Sequence, residues 1–128
     1  MIELTHNINK RIMEIAQERK HESFCISLND IMSAILGFYN LTYADLTATN
    51  RKESVVVHRK IFAHIARLYG HNPAAIAKHL NLDRSCIYHY YKTIDSESQY
   101  NRKIRSDIAI ITEILQKYEK ELTDALNN

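Results

Sequence analysis

The stretch from Pro73 to Ile94, PAAIAKHLNLDRSCIYHYYKTI, constrains the fold of this chain more than any other. Two helix-forming segments flank three residues, Asn81 to Asp83. Ala77 stands where only a small side chain lets a second helix close on the first. Asn81 stands where such a turn drives the backbone into the left-handed region, which glycine adopts freely and asparagine tolerates next best. Ile76, Leu80, Leu82 and Ile87 are spaced to fill the wedge between the segments, and Asp83 is placed to cap the second. These requirements, met together, predict a helix-turn-helix over Pro73 to Lys92.

The rest of the chain keeps the same helical period. Apolar residues recur three and four apart almost throughout, and 128 residues contain only two glycines and one proline, too few for a turn-rich β fold. Ile8, Ile12 and Ile15 mark an N-terminal helix ending near Lys20. Ser27 and Asp30 form a capping box for a second helix with Ile31, Ile35, Phe38 and Tyr39 on its buried side. LTYADLT reads as a short helical turn carrying Leu41 and Leu46, and ATNRKES as an exposed basic loop. Val55, Ile61, Phe62, Ile65 and Leu68 stripe the next helix, which Gly70 closes. Asn72 caps the following helix, with Pro73 at its first position. The last helix is expected from about Gln99 to Ala125, with Ile104, Ile108, Ile111, Leu115, Tyr118 and Leu122 on one face. The expected architecture is all-α: an N-terminal helical extension, residues 1–24, and one helix-turn-helix domain, residues 25–128. Intramolecular packing and dimerisation both remain open for the extension.

Charge separates the function classes. Residues 51–105 carry eleven Lys and Arg against four acids, an excess of +7 in a chain whose total is +2. Such a split suits a phosphate-facing surface beside an acidic scaffold. Cys25 and Cys86 have no metal-type spacing. His58, His64, His71, His79 and His89, all in the basic segment, include no pair four apart on one helix, so no metal, cofactor or catalysis is expected. No signal peptide and no membrane-length apolar run occur, which gives a cytoplasmic expectation. On the second helix of the motif, Arg84, Ser85, Tyr88 and His89 face outward near the N-terminus that enters a major groove. Arginine there can grip guanine through two parallel hydrogen bonds, and Ser85 can reach a base or a phosphate. Tyr88, His89 and Lys92 suit phosphate oxygens. Of Tyr90 and Tyr91, at least one is needed to pack with Ile87 and Ile94.

From Ser27 to about Leu115 the chain resembles the C-terminal DNA-binding domain of DnaA, the bacterial replication initiator. NDIMSAILGFYNLTYADL resembles that domain's opening helix, RKESVVVHRKIFAHIAR its basic loop and long helix, and AAIAKHLNLDRSCIYHYYKTI its signature. Asp83, Arg84, Ser85 and Cys86 fall on the signature's Asp-His-Thr-Thr, and His89 on its later histidine. The resemblance implies an all-α fold that binds short duplex sites. Asp83, Arg84 and Ser85 would meet bases, Arg51 and Lys52 the adjacent minor groove, and His89, Arg59 and Lys60 phosphates. Three departures bear on the recognised sequence: a turn one residue shorter, Arg-Ser-Cys for His-Thr-Thr, and Glu53 beside the minor-groove position. No glycine-rich phosphate loop occurs, so a stand-alone module without an ATPase domain is expected.

The reading that follows is sequence-selective binding of double-stranded DNA, as a replication-accessory or transcription-regulatory protein of the kind a phage or mobile element carries, neutralising roughly six phosphates. The competing reading is an adaptor that keeps the fold and binds a protein through Tyr88, Tyr90 and Tyr91. A dimer through the N-terminal helix would imply a palindromic site.

Overall fold

The computed structural model describes residues 26–48 and 52–127. The expected N-terminal helix and the loop residues 49–51, Arg51 among them, lie outside the described part. Six helices follow in order: α1 Leu28–Tyr39, α2 Tyr43–Thr47, α3 Glu53–Leu68, α4 Pro73–Leu80, α5 Arg84–Tyr100 and α6 Arg102–Asn127. No strand occurs among the described residues.

Local sequence sets each boundary. Ser27 Oγ accepts from the Asp30 amide at 3.1 Å while Asp30 accepts from the Ser27 amide at 3.1 Å, the expected capping box. Thr42 and Asp45 repeat the device at α2, with bonds of 3.1 and 2.9 Å. Gly70 ends α3 at φ +87°, and the paired bonds from Gly70 N to Arg67 O and from His71 N to Ala66 O close a Schellman motif. Asn72 then accepts from the Ala75 amide at 2.8 Å with Pro73 at the first helical position.

Two expectations change. Leu68 is exposed because it lies on the side of the last turn of α3 opposite the buried Ala66; Tyr69, next in the chain, packs on the core instead. The final helix begins at Arg102, about three residues later than expected, because α5 continues to Tyr100 and the break falls at Asn101. Asn101 fixes that point: its side chain accepts from the Ile104 amide at 3.2 Å, serving as the cap of α6.

One core joins the helices. Ile31 and Ile35 of α1, Leu46 of α2, Ile61, Phe62 and Ile65 of α3, Ile76 and Leu80 of α4, Ile87 and Ile94 of α5, and Ile111 of α6 are fully buried. α3 lies at the centre, packed against every other helix. Removing a large aliphatic side chain from such a site costs about 2–5 kcal/mol.

Candidate nucleic-acid interface

The turn between α4 and α5 has the geometry its residues require. Asn81 adopts φ 58° and ψ 46°, and its amide and that of Leu82 close onto the last carbonyls of α4, Lys78 and Ala77 respectively. Ala77 is buried at the crossing, while Ile76, Leu80 and Ile87 fill the wedge, with Leu82 packed at its edge. A brace comes from α2: the Tyr43 hydroxyl donates to the His79 carbonyl at 2.6 Å and its ring meets the His79 ring edge-on. The angle between α4 and α5 is therefore fixed by packing and by hydrogen bonds at the end of α4.

The two sides of α5 are sharply different. Ile87, Tyr90, Tyr91 and Ile94 face inward, three and four apart, with Tyr90 at 7% and Tyr91 at 8% exposure. Arg84, Ser85, Tyr88, His89 and Lys92 face outward on one continuous surface, with Tyr88 at 56%. The structure thus gathers these five expected residues on one face. Asp83 sits at the N-cap position but makes no capping bond with its side chain. The Cys86 amide bonds instead to the Asp83 carbonyl at 3.0 Å, so the carboxylate stays exposed beside Arg84.

Arg59 and Lys60, expected at phosphates, are instead buried and paired within the domain. Arg59 is 4% exposed; its Nε donates to the Leu46 carbonyl at 2.6 Å and its Nη2 to the Ala48 carbonyl. These carbonyls end α2, whose last acceptors have no partner within the helix, so the guanidinium acts as its C-terminal seal. Arg59 also meets the hydroxyl of Tyr90, linking α2 and α3 to the recognition helix. Lys60 is 8% exposed and pairs with Glu97 of α5 at 2.7 Å. Both cations are held by partners within the domain.

Glu53, Val56, Ser96, Tyr100 and Asn101 line one groove, so exposed Lys52 lies near the C-terminal end of α5. At 1.5 Å per residue α5 spans roughly 24 Å, less than one turn of duplex.

Sequence reasoning overlooked Arg67. In the last turn of α3, its guanidinium lies 4.3 Å from the centroid of the Tyr91 ring. The same group donates to Asp95 at 3.2 Å and approaches His64 Nδ1 at 3.2 Å. Burial, then the Arg67 charge, holds the His64 imidazole below its ordinary pKa, which keeps Nδ1 available as an acceptor. The signal was present in the sequence, an arginine on the edge of the apolar stripe, but no local pattern identifies its partners.

Among the described residues no helix is long and apolar enough to cross a membrane. Comparison with known proteins agrees with the geometry. The family profile for the bacterial DnaA protein helix-turn-helix matches residues 28–94, more than half of the chain. The chromosomal replication initiator protein DnaA of Helicobacter acinonychis is 32% identical over 90 residues, covering 69% of this chain and 20% of that protein. The same-named protein of Helicobacter pylori strain HPAG1 is 28% identical over 109 residues, covering 80% and 24%. That of Bacteroides fragilis is 24% identical over 98 residues, covering 75% and 21%. The chain spans about a fifth to a quarter of the length of these relatives. The profile match and the observed helix-turn-helix place this chain in the bacterial DnaA helix-turn-helix family, as a DNA-binding domain of that type.

Proposed function

We propose that the chain binds double-stranded DNA sequence-selectively, by contact alone and without chemistry, in the cytoplasm, as a replication-accessory or transcription-regulatory protein. The carrying observation is the one-sided surface of α5. Arg84, Ser85, Tyr88, His89 and Lys92 are displayed outward on a helix whose other side is locked into the core. In this reading the N-terminal half of α5 enters the major groove, Arg84 reads a base edge, and Asp83 or Ser85 reads a neighbour. His89 and Lys92 meet phosphates, and Lys52 reaches the next groove. Relatives named as chromosomal replication initiators favour a role around replication over other uses of the fold.

The adaptor reading is weakened by the same helix. Of the three tyrosines that would anchor a protein partner, Tyr90 and Tyr91 are spent on the core and only Tyr88 is displayed.

Selection from a random duplex library, with the full chain and with Arg84→Ala, tests the proposal. We expect one enriched motif, and loss of preference at one or two base positions in the variant, about 1–3 kcal/mol of discrimination. Uniform weakening would reduce Arg84 to a phosphate contact. No enrichment by the unmodified chain would overturn sequence-selective binding.

A further inference from the structure

Tyr88 is the large aromatic residue on the outward face of α5, and a ring that is to meet DNA in one pose needs support from behind. The support visible here comes from another helix. The Tyr88 ring packs against Tyr91 at 6.2 Å between centroids, with planes at 89°. The Tyr91 ring in turn carries the Arg67 guanidinium at 4.3 Å. Arg67 Nη2 also meets Asp95 and His64, each at 3.2 Å, which ties one edge of the planar group. Tyr91 is 8% exposed, and its hydroxyl finds no hydrogen-bond partner among the described residues. The hydroxyl therefore does not fix this ring; the Arg67 face and the packing around it do.

We infer that Arg67 is a positioning residue for base selection: stacked on Tyr91, it sets the orientation of Tyr88 on the DNA-facing surface, so that the Tyr88 ring meets a base and not only the phosphate expected from the sequence. The inference rests on the DNA-binding reading of α5. A flat guanidinium can cover an aromatic ring while ion-pairing at its edge, whereas a lysine ammonium supplies the charge without the plane. That difference separates an orienting role from simple charge.

The test uses four full-length variants, Arg67→Lys, Arg67→Met, Tyr88→Ala and Arg84→Ala. Each is checked for fold by circular dichroism and thermal melting, then put through duplex selection and affinity measurement on the selected site. We expect Arg67→Lys and Arg67→Met to lose preference at the same base positions as Tyr88→Ala, with about a five- to tenfold loss on the selected site. Arg84→Ala loses preference elsewhere in the motif. Adding Arg67→Met to Tyr88→Ala costs nothing further, because with the Tyr88 ring gone there is nothing left for Arg67 to orient. Three results overturn the inference. A lysine variant that behaves like the unmodified chain would make charge, not planarity, the requirement. Losses from Arg67 and Tyr88 that add would make the two residues independent. Lower melting temperature with an unchanged motif would make Arg67 merely structural. If the unmodified chain enriches no sequence at all, the DNA reading fails first, and that outcome is distinct from the other three.

Discussion

At the scale of single residues, the largest difference between sequence and structure lies in what the charges do. Arg59 and Lys60 sit in the basic segment and are expected at phosphates, yet both are buried. A sequence shows that a residue is cationic; it does not show whether a carbonyl, a carboxylate or solvent waits for it. Arg59 meets two carbonyls at the end of α2. Arg59→Met leaves those buried acceptors without a donor, and we expect a loss of about 2–4 kcal/mol in urea unfolding. Tyr91→Phe has the opposite expectation. It removes a buried hydroxyl that has no partner among the described residues, so stability stays level or rises by up to about 1 kcal/mol. Asn81, by contrast, was legible, because a left-handed turn residue leaves a local mark. With φ at 58°, Asn81→Gly is expected to be nearly neutral and Asn81→Val to cost about 1–2 kcal/mol, read from the same unfolding curves.

At the scale of elements, caps and periodicity located most helices because both are written within a few residues. Ser27 with Asp30, Asn72 with Pro73, and Gly70 each act where the sequence placed them. The junction of α5 and α6 was misplaced because no proline or glycine marks it. Asn101 ends one helix and caps the next, and nothing local distinguishes it from a mid-helix polar residue. The face of α5 was legible from the three-and-four spacing of Ile87, Tyr90, Tyr91 and Ile94. The pairing of that face with Arg67 and Lys60 of α3 was not, since it joins residues far apart in the chain. The crossing of α4 on α5 makes an element-level prediction. Ala77 is buried at the contact, so Ala77→Leu must push the helices apart. We expect about 1–3 kcal/mol of destabilisation together with loss of selective DNA binding in the fraction that remains folded. Normal binding by a folded Ala77→Leu protein would show that the angle between α4 and α5 does not control recognition.

For the molecule as a whole, two charge effects act in different pH and salt ranges. Burial is the main cause holding His58, His64 and His79 below their ordinary pKa, so the folded state takes up protons less readily than the unfolded chain. Their contribution to stability is present above about pH 6.5 and is lost as pH falls below it, until the folded-state groups also titrate. The urea midpoint is therefore expected to fall between pH 7.5 and 5.5 with an unchanged slope. Salt acts on the other property. Eleven basic residues lie in residues 51–105. Arg59, Lys60, Arg67, Lys103 and Arg105 are engaged by carbonyls or carboxylates within the domain. Lys52, Lys78, Arg84, Lys92 and Arg102 are exposed, as are Lys103 and Arg105 beyond their internal contacts; Arg51 lies outside the described residues, and no single face need use all of them. The sequence count thus overstates the charge available to a duplex, and about four neutralised phosphates fit better than six. With a slope near −0.9 per phosphate, log K falls by roughly 3.6 per decade of salt, about a hundredfold between 50 and 200 mM. A slope near −5.4 would mean that nearly all the exposed cations of the segment meet phosphates at once. Affinity that does not change with salt would remove the electrostatic basis for duplex binding altogether.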